Sequence, residues 1–146
     1  MHPSPEFDLL FLLRILEAGE KICLYSSGYN EALVFFDAND QKEFNACLNL
    51  LAQIGEHANK VSGKTKELGN KLEWEKLYAL RNRLVHDYTG IDKFITFEII
   101  RIAIPEMIES VSELIKLCIQ QKYFSSTDLD IARTSPYLKH VNFDRI

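Results

Sequence analysis

The chain reads as an all-α protein, an antiparallel bundle of four to five helices. Three observations lead there. Apolar residues recur at helical rather than alternating spacing through most of the 146 residues. Helix-start signals precede several of these runs. Short polar links separate them, which makes consecutive helices antiparallel neighbours. Composition agrees: 47% hydrophobic and 26% charged residues suit a folded soluble domain, long enough for one core.

The first helix is expected from Ser4, a hydroxyl that can cap, with Pro5 at the first helical position and Glu6 beside the positive helix end. Phe7, Leu10, Leu13, Leu16 or Glu17, Glu20 and Leu24 then keep helical spacing until Ser26-Ser27-Gly28 interrupts it. Tyr29 to Ala38 fits a short helix or an ordered loop equally well. Asp40 with Glu43 resembles a capping box. The helix behind it carries the cleanest stripe of the chain: Phe44, Cys47, Leu48, Leu51, Ile54, Gly55 and Ala58. Ser62 to Leu72 is polar, holds Gly63 and Gly69, and reads as a connection. A third helix begins near Glu73, presents Trp74, Leu77, Tyr78 and Arg81, and ends around Thr89-Gly90. Asp92 can cap a long fourth helix to Gln121, lined by Phe94, Phe97, Ile100, Ile104, Ile108, Val111, Leu114, Ile115 and Cys118. Pro105 should kink it, since proline removes a donor and crowds the preceding turn. After Gln121 the periodicity fades. Residues 1–121 are therefore the bundle, and 122–146 a C-terminal extension that can dock on it.

No apolar run approaches the roughly 20 residues that span a bilayer. The stretch from Met1 to Glu6 lacks the basic region and cleavage pattern of a signal peptide, so a cytoplasmic protein is expected. Cys23, Cys47 and Cys118 lie far apart on apolar stripes and match no zinc spacing; buried reduced thiols are expected. No metal or cofactor is expected either. No histidine follows a glutamate at the spacing of di-iron bundles, and neither a glycine-rich phosphate loop nor a nucleophile elbow occurs. His57 reads as a surface or packing histidine, while His2 and His140 carry no pattern. The net charge of −4 argues against a protein coated for nucleic acid. Its distribution is uneven, however: Lys60 to Arg101 holds nine basic residues against six acidic ones. That leaves room for a small basic groove on an acidic body.

The positive excess coincides with Arg81-Asn82-Arg83-Leu84-Val85-His86-Asp87-Tyr88. Arginine supplies a planar, permanently charged fork for phosphate oxygens, and histidine takes and gives a proton near neutral pH. Arg81 and His86 are the candidate catalytic residues; Asn82, Arg83 and Tyr88 are the candidate substrate-binding residues. Five positions apart, Arg81 and His86 lie about 140° apart around an ideal helix. One straight helix cannot aim both at one ligand, whereas Arg81 and Tyr88, seven apart, share a face. A distorted helix end, an arginine reaching round, or a second copy of the motif across a two-fold axis resolves the mismatch. Glu56 can pair with Arg81 or stay solvated, and Gly55 most simply lets two helices approach. The plain alternative is a surface helix end whose cations complement the helix dipole.

Arg-Asn, three residues, His, one residue and Tyr, late in a helix of an all-α chain, resembles the HEPN superfamily. More narrowly it is similar to the HepT-like toxin ribonucleases, partners of minimal (MntA-like) nucleotidyltransferase antitoxins. The likeness runs from about Phe7 to Leu117 and takes in Ile54-Gly55-Glu56, Trp74 and Gly90-Ile91-Asp92. It implies a homodimeric toxin that cleaves RNA without a metal, using Arg81 and His86. Asn82 would hold the phosphate or orient His86. Tyr88 would line the groove and be the tyrosine to which the partner nucleotidyltransferase attaches AMP. A second reading is a non-catalytic HEPN module that pairs with a nucleotidyltransferase and binds nucleotide or RNA without cutting it. Intact Arg81 and His86 favour the first, and the acidic overall charge keeps the second open.

Overall fold

The polypeptide is helical at nearly every stretch the sequence marks as periodic. The structure, a computed structural model, describes residues 4–146; the readings at residues 1–3, His2 among them, lie outside these. Eight α-helices and no strand occur among the described residues: α1 (Asp8–Ser26), α2 (Ala32–Asp37), α3 (Lys42–Lys60), α4 (Gly63–Leu68), α5 (Trp74–His86), α6 (Lys93–Glu98), α7 (Ile104–Gln120) and α8 (Ser126–Ala132). The all-α expectation holds. α3 packs between α1 and α5, and α7 closes the other side of α1. None of the helices is long and apolar enough to cross a membrane.

The core face of α1 differs from the expected stripe. Leu9, Leu12, Leu13, Ile15, Leu16 and Ile22 are buried, whereas Phe7, Leu10 and Leu24 are exposed. Leu9-Leu10-Phe11-Leu12-Leu13 offers apolar side chains in every direction, so spacing alone does not choose a face. Asp8 does. It is fully buried, and its carboxylate accepts hydrogen bonds from the Ser62 amide (2.9 Å), the Ser62 hydroxyl (2.6 Å) and the Thr65 hydroxyl (2.5 Å). These bonds pin the start of α1 to the end of α3 and set the rotation of the helix. They also correct the reading of residues 62–72 as a mere polar link, because Ser62 and Thr65 are buried and Ser62 caps α4. Ser4 is not a side-chain cap: Pro5–Phe7 forms a 3₁₀ turn, and α1 starts at Asp8.

The α3 stripe is buried as read, from Phe44 to Ala58. The Asp40–Glu43 box does not form. Asn39, Asp40 and Gln41 all take left-handed torsions (φ 49°, 59° and 66°), a conformation that Asn and Asp tolerate best, and Asn39 Nδ2 donates to Glu43 Oε1 instead at 2.7 Å. Asp92 Oδ1 caps α6 by accepting from the amides of Phe94 (2.8 Å) and Ile95 (3.1 Å). The single long fourth helix is divided: a π-helical turn, Ile99–Ala103, joins α6 to α7 immediately before Pro105. A wider turn relieves the crowding that a proline ring imposes on the preceding carbonyl. Phe94, expected in the apolar lining, is exposed.

Beyond Gln121 the chain turns at Lys122 (φ 61°), and Ser125 with Asp128 forms a capping box that starts α8. Phe124, Leu129, Leu138 and Val141 join the main core. The amide and Nδ1 of His140 both meet the buried Glu17 carboxylate at 2.6 Å. Cys47 and Cys118 are buried, and burial pushes their thiols up to about 12 and about 11; Cys23, expected to be buried, is half-exposed. His57 packs on the Phe11 ring, with centroids 6.4 Å apart; burial first, then the Arg14 charge, lowers its pKa.

Gly55 decides how α5 lies on α3. A methyl group there would stand 2.5 Å from the Leu77 carbonyl oxygen and collide with Arg81 Cβ, so only glycine permits this approach. α5 also gives the core Leu84, buried, and Trp74, Leu77 and Leu80, partly so.

Asp8→Ala strands the Ser62 and Thr65 donors and is expected to lower unfolding free energy by roughly 3 kcal/mol in urea titrations. Gly55→Ala overpacks the α3–α5 contact and should cost about 1–3 kcal/mol. An unchanged urea midpoint in either variant would contradict the corresponding packing role.

Candidate active site

α5 runs antiparallel to α3, and two contacts mark the register. Near the C-terminal end of α3, Glu56 Oε2 accepts from Arg81 Nε at 2.9 Å. Near its N-terminal end, Asn45 Oδ1 accepts from the Tyr88 hydroxyl at 2.5 Å. Glu56 and Asn45 are eleven residues apart, about three helical turns, and so lie on one face of α3 about 16 Å apart. Between these contacts runs the solvent-facing side of α5, which carries the rest of the motif.

Arg81 is held on three sides. Besides Glu56, its Nη1 donates to Asn82 Oδ1 at 2.9 Å, and its guanidinium carbon sits 5.9 Å from the Tyr78 ring centroid. The arginine is partly buried, with 27% of its side chain exposed. Arginine carries five N–H donors. Two are engaged among the described residues, leaving three directed elsewhere.

His86 ends α5 and is exposed. The helix is regular between Arg81 and His86, so the separation of about 140° around its axis stands. Asn82 lies four residues before His86 and Arg83 three before it, which places all three on neighbouring positions of one face. Asn82 therefore links two faces: it shares one with His86 and ties its amide to the arginine on the other. Arg83 is exposed and makes no ion pair among the described residues.

Tyr88 departs from the reading that put it on the Arg81 face. α5 stops at His86 because Asp87 leaves helical torsions (φ −141°, ψ 56°), and Tyr88–Gly90 follows as a 3₁₀ turn. The phenol swings to Asn45 instead of continuing the helical stripe. It is 50% exposed and borders a cleft of about 470 Å³ with Phe36, Phe44, Asn45 and Lys93. Asn45 drew no notice in the sequence, yet its eleven-residue spacing from Glu56 was a usable signal. Among the described residues no group of three or more His, Cys, Asp or Glu side chains converges as a metal site would require.

The site thus contains a constrained cation bonded to Asn82, an exposed imidazole one turn further along the Asn82 face, and an accessible phenol at Asn45. Such a set can hold a phosphodiester and move a proton beside it.

Comparison with known proteins agrees in kind. Residues 15–114 match the family described as Ribonuclease HepT-like. The chain is 27% identical over 103 residues to the protein named "Putative RNase MJ1380" of Methanocaldococcus jannaschii, covering 69% of this chain and 90% of that one. It is also 27% identical over 115 residues to "Putative RNase MJ1216" of the same organism, covering 77% and 91% respectively. To "Putative RNase TTE0752" of Caldanaerobacter subterraneus subsp. tengcongensis it is 30% identical over 71 residues, 49% of this chain and 63% of that one. No solved structure matches it. With more than half its length matched, this chain belongs to the HepT-like ribonuclease family.

Proposed function

We propose that the protein is a metal-independent RNA endonuclease that acts as a homodimer in the cytoplasm, the toxin of a toxin–antitoxin pair. The carrying observation is the state of Arg81: Glu56 and Asn82 fix its fork while three donors remain for phosphate oxygens. A fixed cation stabilises charge that gathers on a phosphoryl group without reorganising as it forms.

In this reading His86 removes the proton from a ribose 2′-hydroxyl. The oxygen attacks the adjacent phosphorus, and the bond to the 5′-oxygen breaks. That oxygen takes up a proton, leaving a 2′,3′-cyclic phosphate and a 5′-hydroxyl. Proton transfer by a placed imidazole is typically worth roughly 10²–10⁴ in rate. Arg81 and His86 face different directions on one helix, so two copies of α5 across a two-fold axis are needed to surround one phosphate. His86 of one copy then takes the proton and returns it to the leaving 5′-oxygen, while Arg81 of the other copy holds the phosphate. Asn82 and Arg83 hold neighbouring phosphate oxygens.

Tyr88 is the control point. A partner nucleotidyltransferase transfers AMP to it: the phenol oxygen attacks the α-phosphorus of ATP, pyrophosphate leaves, and the phenolic proton is released. The exposure of Tyr88 at the cleft rim supports this, as does Asn45 Oδ1, which orients the hydroxyl. Each added AMP brings a negative charge beside a surface that must receive an anionic backbone.

The Arg81–Glu56 ion pair also favours a second reading, a binding module in which Arg81 is structural and RNA or nucleotide is held but not cut. Incubating the purified protein with RNA separates the two.

Arg81→Ala and His86→Ala are each expected to lower RNA cleavage at least a hundredfold with an unchanged urea midpoint for His86→Ala, and wild-type cleavage should persist in EDTA. Full activity in either variant, or loss on chelation alone, would refute the mechanism. Co-expression with a cognate nucleotidyltransferase should add AMP masses to the peptide bearing Tyr88, and Tyr88→Phe should stay unmodified. An adduct on another residue would reject the control role and leave the nuclease reading intact.

A further inference from the structure

The cleft on the far side of Asn82 is larger than the one at Tyr88, about 780 Å³, and the motif does not account for it. One of its walls is a series on α5, and Asn59, Lys66 and Asn70 face it from α3, α4 and the link after α4. Trp74, Tyr78 and Asn82 follow one another at four-residue spacing, and the next member of the series is His86. Residues so spaced lie one above another on a helix surface, each step rising about 6 Å. The series winds slowly round the helix, so the two rings and Asn82 share the cleft while His86 lies beyond its edge.

The chemistry of the cleft differs from that of the motif. Its charges balance poorly for an anion: Lys66 and Lys76 stand against Glu67, Glu73 and Glu75, and Lys76 is already bonded to Glu73 at 2.6 Å. A phosphate finds no net cation there. What the cleft offers is two aromatic rings, Trp74 with the Lys66 ammonium 5.9 Å from its centroid, and three amides, those of Asn59, Asn70 and Asn82. Amides present both donor and acceptor and so match the edges of nucleobases. Aromatic faces stack unpaired bases. Trp74 is fixed in place, its indole Nε1 donating to the Gly69 carbonyl at 3.0 Å, and Tyr78 is braced by the Arg81 guanidinium.

We infer that this cleft is a base-binding subsite, resting on the nuclease reading above. An unpaired nucleobase next to the scissile phosphate stacks against Tyr78 and Trp74, with Asn59 and Asn70 reading its edge. Single-stranded RNA then lies along α5, its phosphate between Arg81 and the second copy's imidazole and its neighbouring base toward Tyr78 and Trp74. The enzyme accordingly selects unpaired RNA and prefers particular bases beside the cut.

Trp74 is the only tryptophan of the chain, so its emission reports on this cleft alone. A short 2′-O-methyl RNA oligomer, which lacks the attacking hydroxyl, serves as the uncleavable probe, with an abasic oligomer of the same backbone as its control. The base-bearing oligomer should quench Trp74 saturably and the abasic one should not. Tyr78→Ala should weaken binding by about tenfold, measured by anisotropy of the labelled oligomer. Asn59→Ala and Asn70→Ala should flatten base preference at the cut, and an unchanged preference in both overturns the edge-reading role. Oligomer binding without quenching, or no binding at all, overturns the subsite. Quenching together with no cleavage of ordinary RNA upholds the subsite and rejects the nuclease reading instead.

Discussion

The contact between α3 and α5 at Gly55 is the constraint on which the site depends. With no side chain there, the Leu77 carbonyl and the root of Arg81 rest directly against α3. This approach brings the Arg81 guanidinium to Glu56 one position further along. It also sets the register that lets Tyr88 reach Asn45 three turns away. Leu84 is the one buried residue of α5, with Trp74, Leu77 and Leu80 packed on the core edge. The outer surface of α5 is therefore free for polar chemistry.

Much of this was legible beforehand, for reasons that differ from place to place. The α3 stripe could be read because its apolar residues occupy one face and its polar residues the other. The α1 stripe could not, because five consecutive apolar residues leave the face undetermined until Asp8 finds Ser62 and Thr65, more than fifty positions away. A buried carboxylate with such distant partners leaves no local trace. Phe124, Leu129, Leu138 and Val141 were likewise hidden, since short helical pieces in the C-terminal region are too brief to show a period. The Pro105 problem was visible in the sequence, but its solution, a π turn ahead of the proline, belongs to the backbone.

The motif was readable as a set of residue types and misleading as a set of directions. Counting at 100° per residue separates Arg81 from His86 correctly, since both lie inside α5. The same count fails for Tyr88, because the helix ends at His86 and Asp87 redirects the chain. The two ends of the motif consequently serve different places. Arg81 is bonded to Asn82, His86 lies on the Asn82 face, and Tyr88 reaches across to Asn45 on α3. That division follows from where one helix stops.

Whether two copies of α5 build each site is the central claim, and mixed dimers test it most directly. Arg81→Ala and His86→Ala chains, each inactive alone, would be co-refolded and the heterodimer isolated by differential tags. If each site takes its arginine from one subunit and its histidine from the other, one of the two sites in the heterodimer is intact. RNA cleavage should then return to about half the wild-type dimer's rate per molecule. A heterodimer as inactive as its parents would contradict the shared site and place Arg81 and His86 of one chain on the same phosphate.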